Sequence, residues 1–190
     1  RLSQSHNSPG MKRRPGALLT GMTFTLADDS ALLTPIALGA ATAANRLFMA
    51  PLTRSRAAAD GTPTDLQAQY YAQRASAGLI ITEATAVSRV GNGAYANTPG
   101  IYTDAHQRKW AEVADAVHGR GGLIFMQIWH VGRMAHPDIS GAEPVGPSPI
   151  AARMTAHTPS GKIPLVTPRA LDTAEIPDVD PQELARGREA

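Results

Sequence analysis

Three short apolar runs alternate along the chain with two stretches of helical period. The first run, Leu47-Phe48-Met49-Ala50, is bounded by Asn45-Arg46 and by Pro51. Four residues are too few for a helix, and the run reads as a strand buried on both faces, as parallel-sheet strands are. Pro51 has no amide hydrogen for a ladder and marks the exit. From Asp65 to Ala77 the positions Leu66, Tyr70, Gln73 and Ala77 share one helical face. Thr64 or Asp65 can cap that helix, and Gly78 stands where a left-handed terminating residue is wanted. Leu79 to Ala84 is the second buried strand. A glycine-bearing loop over 88–100 follows. Thr103 or Asp104 then opens a helix on which Trp110, Val113, Ala114 and Val117 keep the i, i+3, i+4, i+7 spacing. Arg120-Gly121-Gly122 ends it, and Leu123 to Trp129 is the third strand.

Strand, helix, strand, helix, strand with short connections predicts right-handed βαβ units and a parallel α/β sheet. Such sheets place ligands at the carboxyl ends of their strands, which makes Thr53, just past the first strand, a candidate site residue. Residues 137–177 hold eight prolines and little periodicity. They predict a long excursion with a short hairpin over Leu165 to Leu171, the kind of loop that carries function. Asp180 to Ala190 reads as a further helix, with Pro181 in its first turn. Three parallel strands alone leave two apolar edges, so the expectation is an incomplete sheet.

The chain has 190 residues, 43% of them hydrophobic and 18% charged, a globular composition with no apolar window near eighteen residues. It has no cysteine. That excludes disulfides, thiolate metal sites and a cysteine nucleophile within these residues, and it fits a reducing compartment, with the cytoplasm as the expected location. The net charge of +2 misleads. Four of the 18 basic residues fall in residues 1–21 with no acid, leaving 14 basic against 16 acidic residues in the rest. A nucleic-acid footprint would need a basic stripe on the fold itself, so no nucleic-acid or membrane partner is expected. Residues 1–31 read as a disordered or non-native extension, and 32–190 as one folded unit.

Several motifs carry more than periodicity: Asn45-Arg46-Leu47-Phe48-Met49-Ala50-Pro51-Leu52-Thr53-Arg54, Tyr70-Tyr71-Ala72-Gln73-Arg74-Ala75, Gly78-Leu79-Ile80-Ile81-Thr82-Glu83-Ala84, Pro99-Gly100-Ile101-Tyr102, Gln127-Ile128-Trp129-His130-Val131-Gly132-Arg133 and Thr167-Pro168-Arg169-Ala170-Leu171. In this order they resemble the amino-terminal part of the Old Yellow Enzyme family of FMN-dependent ene-reductases. The resemblance implies an α/β fold, a (β/α)8 TIM barrel of which this chain holds about the first three units and a long loop. It implies FMN as cofactor, NADPH or NADH as electron donor, and a small-molecule activated alkene as substrate. By the same resemblance Ala50, Pro51 and Leu52 line the flavin ring, and the Thr53 hydroxyl takes the catalytic position on flavin O4. Gln127 bonds the pyrimidine edge, Ala84 lies flat against the ring, Tyr95 and Trp129 shape the substrate pocket, and the proline-rich excursion caps it. Donors aimed at the pyrimidine side stabilise the electron density that reduction places there.

Read without the resemblance, Thr53 can equally cap a turn, Gln127 can be a buried amide bonded to nearby backbone, Trp129 can be plain core, and Tyr95 can be a surface residue. His130 and His136 lack a nearby third ligand for a metal. Arg54, Arg56 and Arg133 read as structural ion pairs rather than phosphate binders. Threonine at the position of Thr53, in place of cysteine, suggests the branch that holds nitrate-ester and maleimide reductases. The phosphate anchor, carbonyl-orienting pair and proton donor of that family belong to later strands. The 190 residues alone are therefore expected to bind FMN weakly or not at all, and the alternative reading is a truncated, non-catalytic or interaction fragment.

Overall fold

The structure is a computed structural model that describes residues 31–175. The predicted helix over 180–190 lies outside the described residues, as does the predicted extension over 1–31 apart from Ala31, which opens a 3-10 turn, Ala31–Leu33. At the centre is a parallel three-stranded sheet in the order β3 (Phe48–Met49), β4 (Leu79–Ala86), β5 (Ile124–Trp129). Helices α1 (Asp65–Ala72) and α2 (Asp104–His118) make the two crossovers and pack on each other. Between sheet and helices lies the core: Tyr71, Ala75, Ile80, Ile101, Trp110, Val113 and Val117. A short antiparallel hairpin of β1 (Ile36–Leu38) and β2 (Ala41–Ala43) precedes the sheet. The hydrophobic pattern does not announce it.

The two helices differ in how they obey their pattern. In α2 the buried residues are His106, Trp110, Val113 and Val117, with the Thr103 hydroxyl accepting the His106 amide. The Trp110 indole N–H donates to the Gly100 carbonyl at 3.0 Å. In α1 the expected face is wrong. Leu66 is 55% exposed, while Gln67, one position on, is 1% exposed and Tyr71 is fully buried. The reason lies on the strand that α1 covers, where Glu83 presents a carboxylate that needs hydrogen-bond donors.

Gly78 does not terminate α1 in a left-handed conformation; the helix ends at Ala72, and Gly78 is absent from the positive-φ residues. A Cβ there would sit within 2.9 Å of three Asn45 atoms, and the Gly78 amide donates to the Leu47 carbonyl at 2.9 Å. Glycine is required by close approach of β3 to β4, not by its turn.

The first strand is not buried on both faces. Leu47 and Phe48 are 46% and 43% exposed, because β3 is an edge of the described sheet. Phe125 and Ile128 are exposed on β5, the other edge of the described sheet.

The excursion holds a short helix α3 (Pro137–Ser140), a parallel pair of β6 (Val145–Gly146) with β9 (Arg169–Ala170), and an antiparallel hairpin of β7 (Thr155–Thr158) with β8 (Gly161–Pro164). The hairpin is thus upstream of the expected 165–171. Pro168 has no N–H to give a ladder at the middle of that window, whereas Gly161, at φ +112°, serves the turn after Pro159-Ser160. Among the described residues no helix is long and apolar enough to cross a membrane.

Candidate functional site

The site grows out of an irregularity in β4. Ile81 pairs with Phe125, but the next pairing is Ala84 with Gln127, so β4 carries one residue more than β5 between them. That β-bulge falls at Thr82–Glu83, two consecutive residues that both face the helix layer. A bulge re-aims side chains and leaves ladder groups to be satisfied otherwise. Here the Thr82 hydroxyl accepts the Gln127 backbone amide at 3.1 Å and donates to the Glu83 carbonyl at 2.9 Å. The Thr85 hydroxyl donates to the same carbonyl.

The bulge turns Glu83 toward α1, where it is fully buried. Its Oε1 accepts the Gln67 side-chain amide at 2.9 Å and the Tyr71 hydroxyl at 3.3 Å, and its Oε2 accepts the Arg54 backbone N–H at 2.9 Å. The Tyr71 oxygen in turn accepts the Glu83 amide at 2.8 Å. Burial, then the Glu83 charge, raises the Tyr71 phenol well above its usual range, so it stays a donor. Gln67 also accepts the Thr64 amide through Oε1, closing the start of α1.

Beyond the bulge β4 and β5 regain register, with Ala84 opposite Gln127 and Ala86 opposite Trp129. Ala84 is buried, and Gln127 is exposed. The alternative of a buried amide with an internal partner is therefore not found: no hydrogen bond engages the Gln127 side chain among the described residues, because its face of β5 is uncovered. Trp129 lies two pairings further and stacks on Tyr95, with ring centroids 6.3 Å apart and planes 11° from parallel. Its indole Nε1 is buried without a partner among the described residues. Tyr95 sits on the 88–100 loop, which the excursion clasps through the His136 amide to the Gly93 carbonyl and the Arg89 guanidinium to the Ser140 carbonyl.

At the exit of β3, Ala50 and Leu52 are exposed, and Pro51 and Thr53 are half-buried. Thr53 directly precedes Arg54, whose amide is the one held by Glu83. The structure thus brings the predicted residues to one end of one sheet: Ala50 to Thr53 after β3, Ala84 on β4, Gln127 and Trp129 on β5, and Tyr95 against Trp129. Sequence reasoning missed Glu83, although an acid inside an apolar strand signals a buried group that must be paired.

Among the described residues Arg54, Arg56 and Arg133 form no ion pair, unlike the expectation. Arg54 lies over the Tyr70 ring at 5.1 Å, Arg56 donates to the Arg54 and Ser55 carbonyls, and Arg133 reaches the Ile150 carbonyl. His130 and His136 each accept a backbone amide through Nδ1, from Gly132 and Asp138. Burial holds the His130 imidazole below its usual range. A separate apolar cleft of about 410 Å³ runs between α2 and β5, lined by Trp110, Val113, Phe125 and Ile128 among others. It lies on the helix side and contains none of the predicted site residues.

The sequence and fold resemble those of known proteins. The chain is 47% identical over 147 residues to a chanoclavine-I aldehyde reductase of Penicillium roqueforti, covering 76% of this chain and 38% of that protein. It is 43% identical over 151 residues to 12-oxophytodienoate reductase 1 of Oryza sativa subsp. japonica, covering 78% and 38%. Among solved structures, the old yellow enzyme homologue of Zymomonas mobilis superposes with a TM-score of 0.79 at 49% identity, over 83% of this chain and 44% of that one. Morphinone reductase does so at 0.75 and 45%, over 83% and 43%. The chain spans less than half the length of these relatives, and its three strands correspond to part of their (β/α)8 barrel. Residues 31–180 match the NADH:flavin oxidoreductase / NADH oxidase family, and the chain belongs to that family, the Old Yellow Enzymes among it.

Proposed function

We propose that this chain forms the amino-terminal part of an FMN-dependent NAD(P)H oxidoreductase that reduces activated C=C bonds, in enones, maleimides and related nitro or nitrate-ester compounds. The observation that carries the reading is the exposed Gln127 side-chain amide, which has no partner among the described residues and stands opposite the small, buried Ala84 at the carboxyl end of the sheet. An amide supplies both a donor and an acceptor, which matches the mixed pyrimidine edge of a flavin. The residues present fit that group. Ala84 gives a flat contact, Thr53 a hydroxyl at the strand exit, and Ala50 to Leu52 an apolar border.

When bound, FMN would supply the hydride that passes from the nicotinamide to the alkene. The chain's own part is to bind, orient and exclude water. Thr53 would donate to the ring's O4 and Gln127 would hold its pyrimidine edge. The Trp129–Tyr95 stack would wall the substrate side, and the excursion, tied to the Tyr95 loop, would cover it. A relative captured with tetrahydroNAD, morphinone reductase, favours a nicotinamide donor.

The test is to purify the full gene product and record its visible spectrum. The expected result is a flavin spectrum, FMN released on denaturation, and NADPH- or NADH-dependent loss of 2-cyclohexenone or N-ethylmaleimide. A colourless protein that takes up no FMN and consumes neither alkene would overturn the reading.

A further inference from the structure

We infer that Glu83 is the positioning residue of the strand-end site: aimed by the β-bulge, its carboxylate holds the Arg54 amide and thereby fixes where Thr53 stands. The inference rests on the flavin reading above for its functional consequence, but its geometry stands apart from any cofactor.

A carboxylate that is 0% exposed inside a sheet is a costly choice where a leucine could pack. What it provides is two acceptor oxygens pointing in different directions. One faces α1 and takes Gln67 and Tyr71; the other faces the loop after β3 and takes the Arg54 N–H. That loop has left the sheet at Met49, so its amides have no ladder to join. The Glu83 contact lies one residue beyond Thr53.

A second observation points the same way. Ser55 has φ +51°, a left-handed conformation unusual for a residue other than glycine. Such strain persists only where the surroundings over-determine it. Glu83 holds the amide on one side of Ser55, while the Arg56 guanidinium holds the Arg54 and Ser55 carbonyls and the Thr64 hydroxyl holds the Arg56 carbonyl. The segment from Arg54 to Arg56 is therefore held at several points, and the Glu83 contact is the one nearest Thr53.

The chemistry supplies its own control. A side-chain amide has a single oxygen, so the Glu83→Gln variant cannot accept both from α1 and from Arg54. Exchanging the pair, Gln67→Glu together with Glu83→Gln, restores the Arg54 contact and the contact between positions 67 and 83, and gives up only the 3.3 Å Tyr71 contact. The new amide on β4 would accept the Arg54 N–H through its oxygen and donate through its nitrogen to the new carboxylate on α1. That carboxylate still has an oxygen for the Thr64 amide.

The experiment measures amide exchange at Arg54 and the FMN dissociation constant in the full gene product. Glu83→Gln is expected to speed Arg54 exchange at least tenfold and to weaken FMN at least tenfold, and the exchanged pair is expected to restore both to within about threefold of the parent. Unchanged Arg54 exchange in folded Glu83→Gln would overturn the inference. So would an exchanged pair that folds but leaves Arg54 unprotected, a result that remains readable even if the single variant does not fold. Restored Arg54 protection without restored FMN affinity would overturn the link to the site. Failure of the flavin reading looks different: the parent itself then binds no FMN, and the link to cofactor placement falls with it.

Discussion

Helices α1 and α2 pack side by side on the same sheet, yet the buried face of α2 is mostly apolar while that of α1 includes an amide and a phenol. Helix α2 buries Trp110, Val113 and Val117 and shows solvent its charged positions. Helix α1 buries Gln67 and leaves Leu66 in water. The difference comes from what lies beneath. Under α2 are apolar surfaces of Ile80, Ile101 and Ile124, for which burial of carbon is the governing term. Under α1 is Glu83, for which hydrogen-bond donors govern, because an unmet buried carboxylate costs more than an exposed leucine. Periodicity finds the inner face of a helix only when its partner surface is apolar. Where the sheet carries a buried acid, the helix is oriented by donors instead.

This contrast can be broken from either side. The largest effect is expected on the apolar side: Trp110→Ala removes a 3% exposed indole that packs beside Tyr71 and bonds the Gly100 carbonyl. It should cost about 3–5 kcal/mol in denaturant unfolding, the range for large-to-small changes of core aromatics. Next is the polar side. Gln67→Leu makes α1 more hydrophobic and should nevertheless destabilise by about 1.5–3 kcal/mol, the size of a hydrogen bond to a charged group. If that variant is as stable as its parent, the Glu83 account of α1 is wrong. Thr103→Ala at the start of α2 should cost about 1 kcal/mol, since it removes the acceptor of the His106 amide. The smallest effect belongs to Leu66→Gln, expected within about 0.5 kcal/mol by the same assay because the side chain is already exposed. The pair at 66 and 67 together makes the sharper comparison: the polar-to-apolar change should hurt and the apolar-to-polar change should not.

The same contrast explains what was legible in the sequence. The three strands, both helices and the Thr64 and Thr103 caps are local patterns, and they stand close to where the residues place them. The proposed site's position rests on topology, because Thr53 comes just after a parallel strand. What could not be read was non-local. The bulge is set by how β4 and β5 pair, and no local pattern marks it. Exposure of Gln127 and Phe48 depends on what covers the far face of the sheet, which a run of apolar neighbours does not reveal. The role of Gly78 depends on Asn45, which is far from it along the chain. The stack of Tyr95 on Trp129 joins a loop to a strand end, and the resemblance named both residues without the pattern giving their contact. Two hairpins were missed or shifted because their strands are three or four residues long, below what alternation can resolve.

The central claim is that the carboxyl end of β3, β4 and β5 is a flavin site built around Thr53, Ala84 and Gln127. A crystal structure of the full gene product grown with FMN tests it most directly. The account predicts the ring against Ala84, with its pyrimidine edge within hydrogen-bond distance of the Gln127 amide and its O4 within that distance of the Thr53 hydroxyl. FMN bound elsewhere, for instance in the apolar cleft between α2 and β5, with Thr53 and Gln127 left in solvent, would contradict it.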